Sequence, residues 1–233
     1  MIGILGGMGT QAGLDFCNKL AKLYKGKSDQ RYPLFVLYNK SNIPNRPENL
    51  HKYSKVLKSL LIGCKFLEKS KCKFIVIPCN TAHYWYNSLR KKVKIPIISM
   101  PKEVYAHAIK NCKKKTKIGL LATEGTLKTG IYNKFFDKNF KLINPNKFVQ
   151  KNNVNKAIKL VKMGKIKDAE KAIRPAVNLL IKMKCNKIIL GCTELPIAIF
   201  AFKSFQKIKK SKTFLDPNLI LAHSSMKRYK GTR

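Results

Sequence analysis

The stretch IGILGGMGT that starts at Ile2 returns as IGLLATEGT starting at Ile118. Two further landmarks recur in the same order. FIVIPCNT matches KIILGCTE and sets Cys79 on Cys192, while PIISMP (96–101) matches TFLDP (213–217) and sets Met100 on Asp216. A chain of 233 residues whose landmarks recur at close to half its length consists of two halves with one topology. Parallel-sheet strands resemble one another in any protein, but that likeness does not put a cysteine at the end of both.

Within each half, short apolar runs bounded by turn residues alternate with longer stretches of helical period. Strands are expected at IGILGG, PLFVLYN, FIVIPC, IPIISM, KIGLLAT, KLIN, KIILGC and TFLD. Helices are expected near residues 10–25, 49–70, 81–92, 101–111, 126–138, 151–163, 166–184 and 217–228. This alternation predicts an α/β fold of two pseudo-symmetric, doubly wound domains with parallel sheets, where ligands sit beyond the C-terminal ends of the strands. The first domain is expected at 1–100 plus about 213–233, and the second at 101–212.

Lys and Arg number 49 against 11 Asp and Glu, a formal charge of +38. A Lys- and Asn-rich coding bias does not account for so few acids, so the balance suits an anionic partner: a carboxylate or phosphate substrate, nucleic acid or an acidic surface. Basic runs such as KNCKKKTK (110–117), KIKK (207–210) and KRYKGTR (227–233) are scattered. No zinc-finger spacing or aromatic-rich basic signature accompanies them, so nucleic acid is expected to bind only through non-specific charge. The N-terminus enters an apolar run without a charged leader, and no stretch approaches the ~18 apolar residues of a membrane span. A soluble cytoplasmic protein without membrane contact is therefore expected. Seven widely spaced cysteines, an odd number, should be reduced thiols.

A cysteine that ends a strand just before a helix lies at the rim of the sheet, where its sulfur can meet a ligand. The helix N-terminus should also lower its pKa. If the two halves face each other, Cys79 and Cys192 address one small ligand from opposite sides at the domain interface. Inversion of a stereocentre needs this: a base on one face of the carbon and an acid on the other. Cys17, Cys64, Cys72, Cys112 and Cys185 lie in helical or pre-strand patterns and read as structural.

GILGGMGT, NIPNR, IPCNTAH, IPIISM, GLLATEGT and GCTELP together resemble the aspartate/glutamate racemase family, and within it the aspartate racemase branch, from residue 2 to about 217. The resemblance implies a cofactor-independent, metal-free racemase, commonly a homodimer, with Cys79 and Cys192 as the acid/base pair. It implies substrate contacts at Met8, Asn80, Thr81, Thr123, Thr126 and Thr193, and assigns Arg46 and Lys162 to the acidic side chain of the substrate. Backbone N–H groups near 80, 81 and 193 would gather the α-carboxylate as charge moves onto it.

Some departures bear on specificity. Asn45 precedes Arg46 where many aspartate racemases carry Asp, and Glu194 stands where glutamate racemases carry His, which makes it a candidate to orient or deprotonate Cys192. Other two-cysteine chemistries fit the same frame: racemisation of glutamate, of amino acids broadly or of hydantoins, and maleate isomerisation with Cys79 as nucleophile. A basic nucleic-acid-binding protein derived from a racemase is the non-enzyme alternative. GMGTQA (7–12) satisfies a loose dinucleotide fingerprint, but the second strand ends in Asn39 and Lys40 without the expected acid. Cys79 and His83 lack further ligands for a metal, and His83 reads as a polar helix residue near the cleft.

Overall fold

The computed structural model describes residues 1–24, 28–201, 205 and 213–231. The KIKK run and the last two residues of the basic tail lie outside them.

The first sheet has three parallel strands, β1 (Ile2–Gly6), β2 (Phe35–Asn39) and β3 (Phe74–Val76), in the order β2-β1-β3. Ile2 pairs with both Phe35 and Phe74. A fourth place is taken by the IPIISM segment through one parallel bridge, Ile75 to Ile97, closed by Ile75 N–H to Pro96 O at 2.8 Å and Ile98 N–H to Ile75 O at 2.9 Å. The expected strand there is no longer than this, and Pro96 can donate no bond to extend it. The second sheet comprises β4 (Lys117–Ala122), β5 (Lys141–Ile143), β6 (Lys187–Gly191) and β7 (Phe214–Leu215), all parallel and ordered β5-β4-β6-β7. Each half thus repeats the other strand for strand.

The duplication also extends beyond the motifs that reveal it. Helix α2 (Tyr53–Lys69) and helix α9 (Ile166–Lys182) end in the same turn, with Cys72 N–H bonding Leu67 O and Cys185 N–H bonding Leu180 O. Lys71 (φ 58°) and Lys184 (φ 61°) both occupy the left-handed position that glycine usually fills after a helix. Gly3 and Gly119 match as well. A Cβ on Gly3 would lie 3.2 Å from Leu67 Cβ, and one on Gly119 would lie 2.7 Å from Leu180 Cδ1, so both glycines let the helix press onto its central strand.

Between β1 and β2 runs α1 (Thr10–Leu23), which buries Ala12, Phe16 and Leu20. α2 buries Val56, Leu60, Cys64 and Leu67 in a core shared with Leu5, Ile75 and Trp85. After β3 the expected helix starts as a 3-10 turn, Thr81–Trp85, before α3 (Tyr86–Lys92); α4 (Met100–Asn111) follows. In the second half the region 126–138 divides into α5 (Glu124–Thr129) and α6 (Asn133–Phe136), because Gly130 at φ 59° ends the first. Then come α7 (Lys147–Val149), a π-helical turn Gln150–Asn155, α8 (Lys156–Lys162), α9, α10 (Leu195–Phe200) and the C-terminal helix Pro217–Lys230. α9 and β6 supply a second core with Ile173, Val177, Leu180, Ile188 and Leu190.

The chain divides into two compact units, Met1–Glu103 with Asn218–Arg233, and Val104–Pro217. The segment from 213, grouped with the first domain on sequence, enters as β7 of the second sheet, and the return comes at Asn218. Within the first unit, Asn218 Nδ2 donates to Ala12 O and Asp15 Oδ2, and Tyr229 OH accepts from Leu34 N–H. No helix among the described residues is long and apolar enough to cross a membrane.

Candidate functional site

In the first unit the loops after β1, β2 and β3 carry the candidate residues. Gly7 (φ 86°) sits where a Cβ would come 2.2 Å from the Lys40 carbonyl carbon, so only glycine lets the β1 loop pass the β2 loop. Arg46 ties these loops together. Its Nη1 donates to Ile43 O (3.1 Å) and Pro44 O (3.0 Å), and its Nη2 to Met8 O (2.9 Å). Three of five guanidinium N–H groups are thereby committed to the backbone. Nε is buried and has no hydrogen-bond partner among the described residues, so the edge formed by Nε–H and the second Nη2–H is what remains for a carboxylate. Met8 is buried, and Asn45 is bound to Glu48 Oε1 at 2.6 Å.

Cys79 follows β3 and is 6% exposed; Asn80 and Thr81, both buried, lead into the 3-10 turn. His83 takes a structural place. The Met100 N–H donates to its Nε2 (3.0 Å), which makes Nδ1 the protonated nitrogen, and Nδ1–H donates to Cys79 O (2.9 Å). The ring is thus a neutral cross-link that fixes the Cys79 main chain and the start of α4, in place of the cleft lining expected from sequence.

Desolvation holds the His83 pKa below its ordinary value. The unfolded imidazole takes up a proton near 6.5 and the folded one resists, so this stabilisation is complete above about pH 6.5 and is lost as pH falls below it. In urea unfolding, the wild type should lose more stability than His83→Gln as pH falls from about 6.5 to about 5.5. Equal losses would refute the neutral cross-link.

In the second unit Thr123 caps α5: its Oγ1 accepts from Thr126 N–H (3.1 Å) and donates to Thr126 Oγ1 (3.1 Å). Behind this loop stands a network that the sequence did not suggest. Gln150 Nε2 donates to Ala122 O (2.9 Å) and Asn155 Oδ1 (2.8 Å), and Asn155 Nδ2 donates to Glu124 Oε1 (2.7 Å). The π-helical turn brings Gln150 and Asn155 to the end of β4, a common use of such turns near functional residues.

Cys192 follows β6 as Cys79 follows β3. It is 6% exposed, and its Sγ donates to Glu194 Oε2 at 2.9 Å. Thr193 and Glu194 are both buried, and Glu194 Oε1 has no hydrogen-bond partner among the described residues. Burial, followed by the Glu194 charge and its hydrogen bond, pushes the Cys192 thiol well above its ordinary pKa, while the Lys162 ammonium acts the other way. The expected lowering by a helix N-terminus is overturned here. Helix α10 is only six residues long, whereas the desolvated carboxylate lies in direct contact with the sulfur. Lys162 ends α8 and is exposed.

Tyr132 and Asp216, both buried, were missed. Burial and the charges of Asp216 and Cys192 raise the Tyr132 pKa. The signal for Asp216 was present, since it is the acid that the repeat sets at the end of the fourth strand; Tyr132 sits in no motif. Burial raises the thiols of Cys17 (to about 11) and Cys64 (to about 12), and those of Cys72, Cys112 and Cys185, as structural cysteines require.

The second unit therefore joins a protonated thiol to a carboxylate that accepts its hydrogen bond, and the first holds its thiol on a main chain fixed by His83, with Arg46 tying the loops after β1 and β2. Comparison with known proteins identifies the frame. The sequence matches the Asp/Glu/hydantoin racemase family over residues 5–224. It is 27% identical to the broad specificity amino-acid racemase RacX of Bacillus subtilis, with 98% of each chain covered. It is 28% identical to the glutamate racemase of Carboxydothermus hydrogenoformans over 71% of this chain and 60% of that one. The solved structure of Picrophilus torridus aspartate racemase superimposes with a TM-score of 0.84 at 28% identity, over 98% of this chain and 94% of that one. An aspartate racemase homologue from Pyrococcus horikoshii shares the fold, with a TM-score of 0.75 at 22% identity. The chain, with its duplicated sheets and a buried cysteine after the third strand of each, belongs to the Asp/Glu/hydantoin racemase family.

Proposed function

We propose that this racemase interconverts L- and D-aspartate by two-base proton transfer between Cys79 and Cys192. The observation that carries this reading is the buried Cys192–Glu194 hydrogen bond at the position that mirrors Cys79. One thiolate removes the α-proton and becomes a thiol, the electron pair is delocalised onto the α-carboxylate, and the opposite thiol returns its own proton to the other face. Main-chain N–H groups near Asn80, Thr81 and Thr193 would meet the growing carboxylate charge. Thr123 and Thr126 supply hydroxyls beside the same rim, and Met8 an apolar wall. Two features support an acidic side chain: the remaining edge of Arg46 and the Lys162 ammonium near Cys192. The similarity to an aspartate racemase over nearly the whole chain points the same way. A homodimer is proposed on the resemblance alone.

A second reading, broad amino-acid specificity, is favoured by the guanidinium of Arg46, most of which is spent on Ile43, Pro44 and Met8 carbonyls. The test is proton NMR of both enantiomers of aspartate, glutamate and alanine in D₂O with purified protein, followed by chiral chromatography. Loss of the α-proton signal with inversion of aspartate at least tenfold faster than of alanine supports the first reading. Comparable rates support the second, and inertness toward all three would refute both.

A further inference from the structure

Strand register brings three lysine-rich segments together at the N-terminal edge of the second sheet. They are NCKKKTK (111–117) before β4, DKNFK (137–141) into β5 and KMKCNK (182–187) into β6. Hydrogen bonds join them: Lys115 N–H to Asn139 O (2.7 Å), Lys141 N–H to Thr116 O (3.1 Å) and Asn186 N–H to Lys117 O (3.0 Å). Together they hold nine lysines, all but Lys187 exposed, and a single acid, Asp137, whose carboxylate accepts from Asn133.

This concentration is costly. Lys117 lies directly opposite Lys141 on adjacent parallel strands, and Ile118 opposite Lys187. Like charges in such positions, on strands about 4.8 Å apart, destabilise a sheet. Attraction to helix C-termini accounts for a lysine in the last turn of α9, but not for the pair on β4 and β5. A polyanion on this edge would turn the repulsion into attraction. The strands are parallel, so the edge lies at the opposite end of β6 from Cys192, about 16 Å away at 3.3 Å per residue.

We infer that this edge is a docking surface for the phosphate backbone of a nucleic-acid duplex. The chemistry favours a duplex because the segments expose no aromatic ring on which single-stranded bases could stack: their one aromatic, Phe140, is 4% exposed. A duplex presents one charge per ~1.7 Å of axis and requires only mobile point charges, which lysines are. The inference is independent of the racemase reading.

The test is fluorescence anisotropy of a labelled duplex DNA of about 20 base pairs with the intact protein, from 50 to 200 mM salt. Five phosphate contacts would give a log–log slope near −4.5 and an affinity loss of about 500-fold across that range. The variant Lys113→Glu/Lys114→Glu/Lys141→Glu should weaken binding at least about 100-fold at 50 mM salt and flatten the slope by about 2.7. A control with the same change in net charge on the first unit, Lys55→Glu/Lys58→Glu/Lys91→Glu, should keep the slope and stay within tenfold. Circular dichroism verifies folding, and a Lys→Gln version of the first variant gives a second, milder readout. Equal losses in variant and control would show diffuse charge and overturn the surface. So would the absence of binding at 50 mM salt, or tighter binding to anionic phospholipid vesicles than to the duplex.

Discussion

Cys192→Ala should lower racemisation at least about 1,000-fold while still exchanging the α-proton of one enantiomer with solvent, and Cys79→Ala should do the same for the other enantiomer. One base remains on one face in each case, so the carbanion forms and is reprotonated from the side it came from. Racemisation has an equilibrium constant of one, so kcat/KM is equal in the two directions whatever the active site looks like. The inequality of the two thiols therefore does not show in kcat/KM, but it does show in exchange without inversion. The measurement is NMR in D₂O with chiral analysis of the recovered substrate. Either variant inverting substrate at more than a tenth of the native rate would remove the two-base assignment. Circular dichroism is the needed control, because Cys192→Ala takes away the thiol donor of the buried Glu194 carboxylate.

Glu194→Gln carries the next largest expected effect. The carboxylate accepts the Cys192 proton at 2.9 Å, and its charge is among the causes that keep the thiol protonated. Without that charge the thiol pKa falls toward its ordinary value, so the alkaline limb of the pH–rate profile, where Cys192 can no longer act as the acid, moves to lower pH. Loss of the proton acceptor also removes the path by which Cys192 becomes a base. Together these changes should reduce kcat/KM about 100-fold, within the usual range for one general-base contribution. A Glu194 that merely favoured its helix would leave the alkaline limb in place and cost only stability; that outcome would return it to a structural role.

How far the sequence carries can be judged residue by residue. The strand ends at Cys79 and Cys192 were legible because apolar runs bounded by turn residues are local signals, and the repeat checked each half against the other. Gly130 was equally local, yet the periodicity around it concealed the break between α5 and α6. Helix α10 escaped because LPIAIF is apolar on every side, and an all-apolar run has no period to read. IPIISM kept its place beside β3 but shrank to one bridge at Ile97.

The sequence by itself therefore determined the duplicated parallel topology, the two thiols at matching strand ends and the family to which the chain belongs. All of these follow from spacing along one chain. Only the tertiary structure decided what those residues do electrically. Arg46 became a tie between loops because Met8 O, 38 residues away, lies within reach. His83 became neutral because Met100 N–H points at one nitrogen and Cys79 O faces the other. Cys192 keeps its proton because burial desolvates its sulfur and the Glu194 carboxylate lies in contact with it. Protonation and hydrogen-bond partnership depend on desolvation and on neighbours brought in from distant segments, and neither is written in the order of the residues.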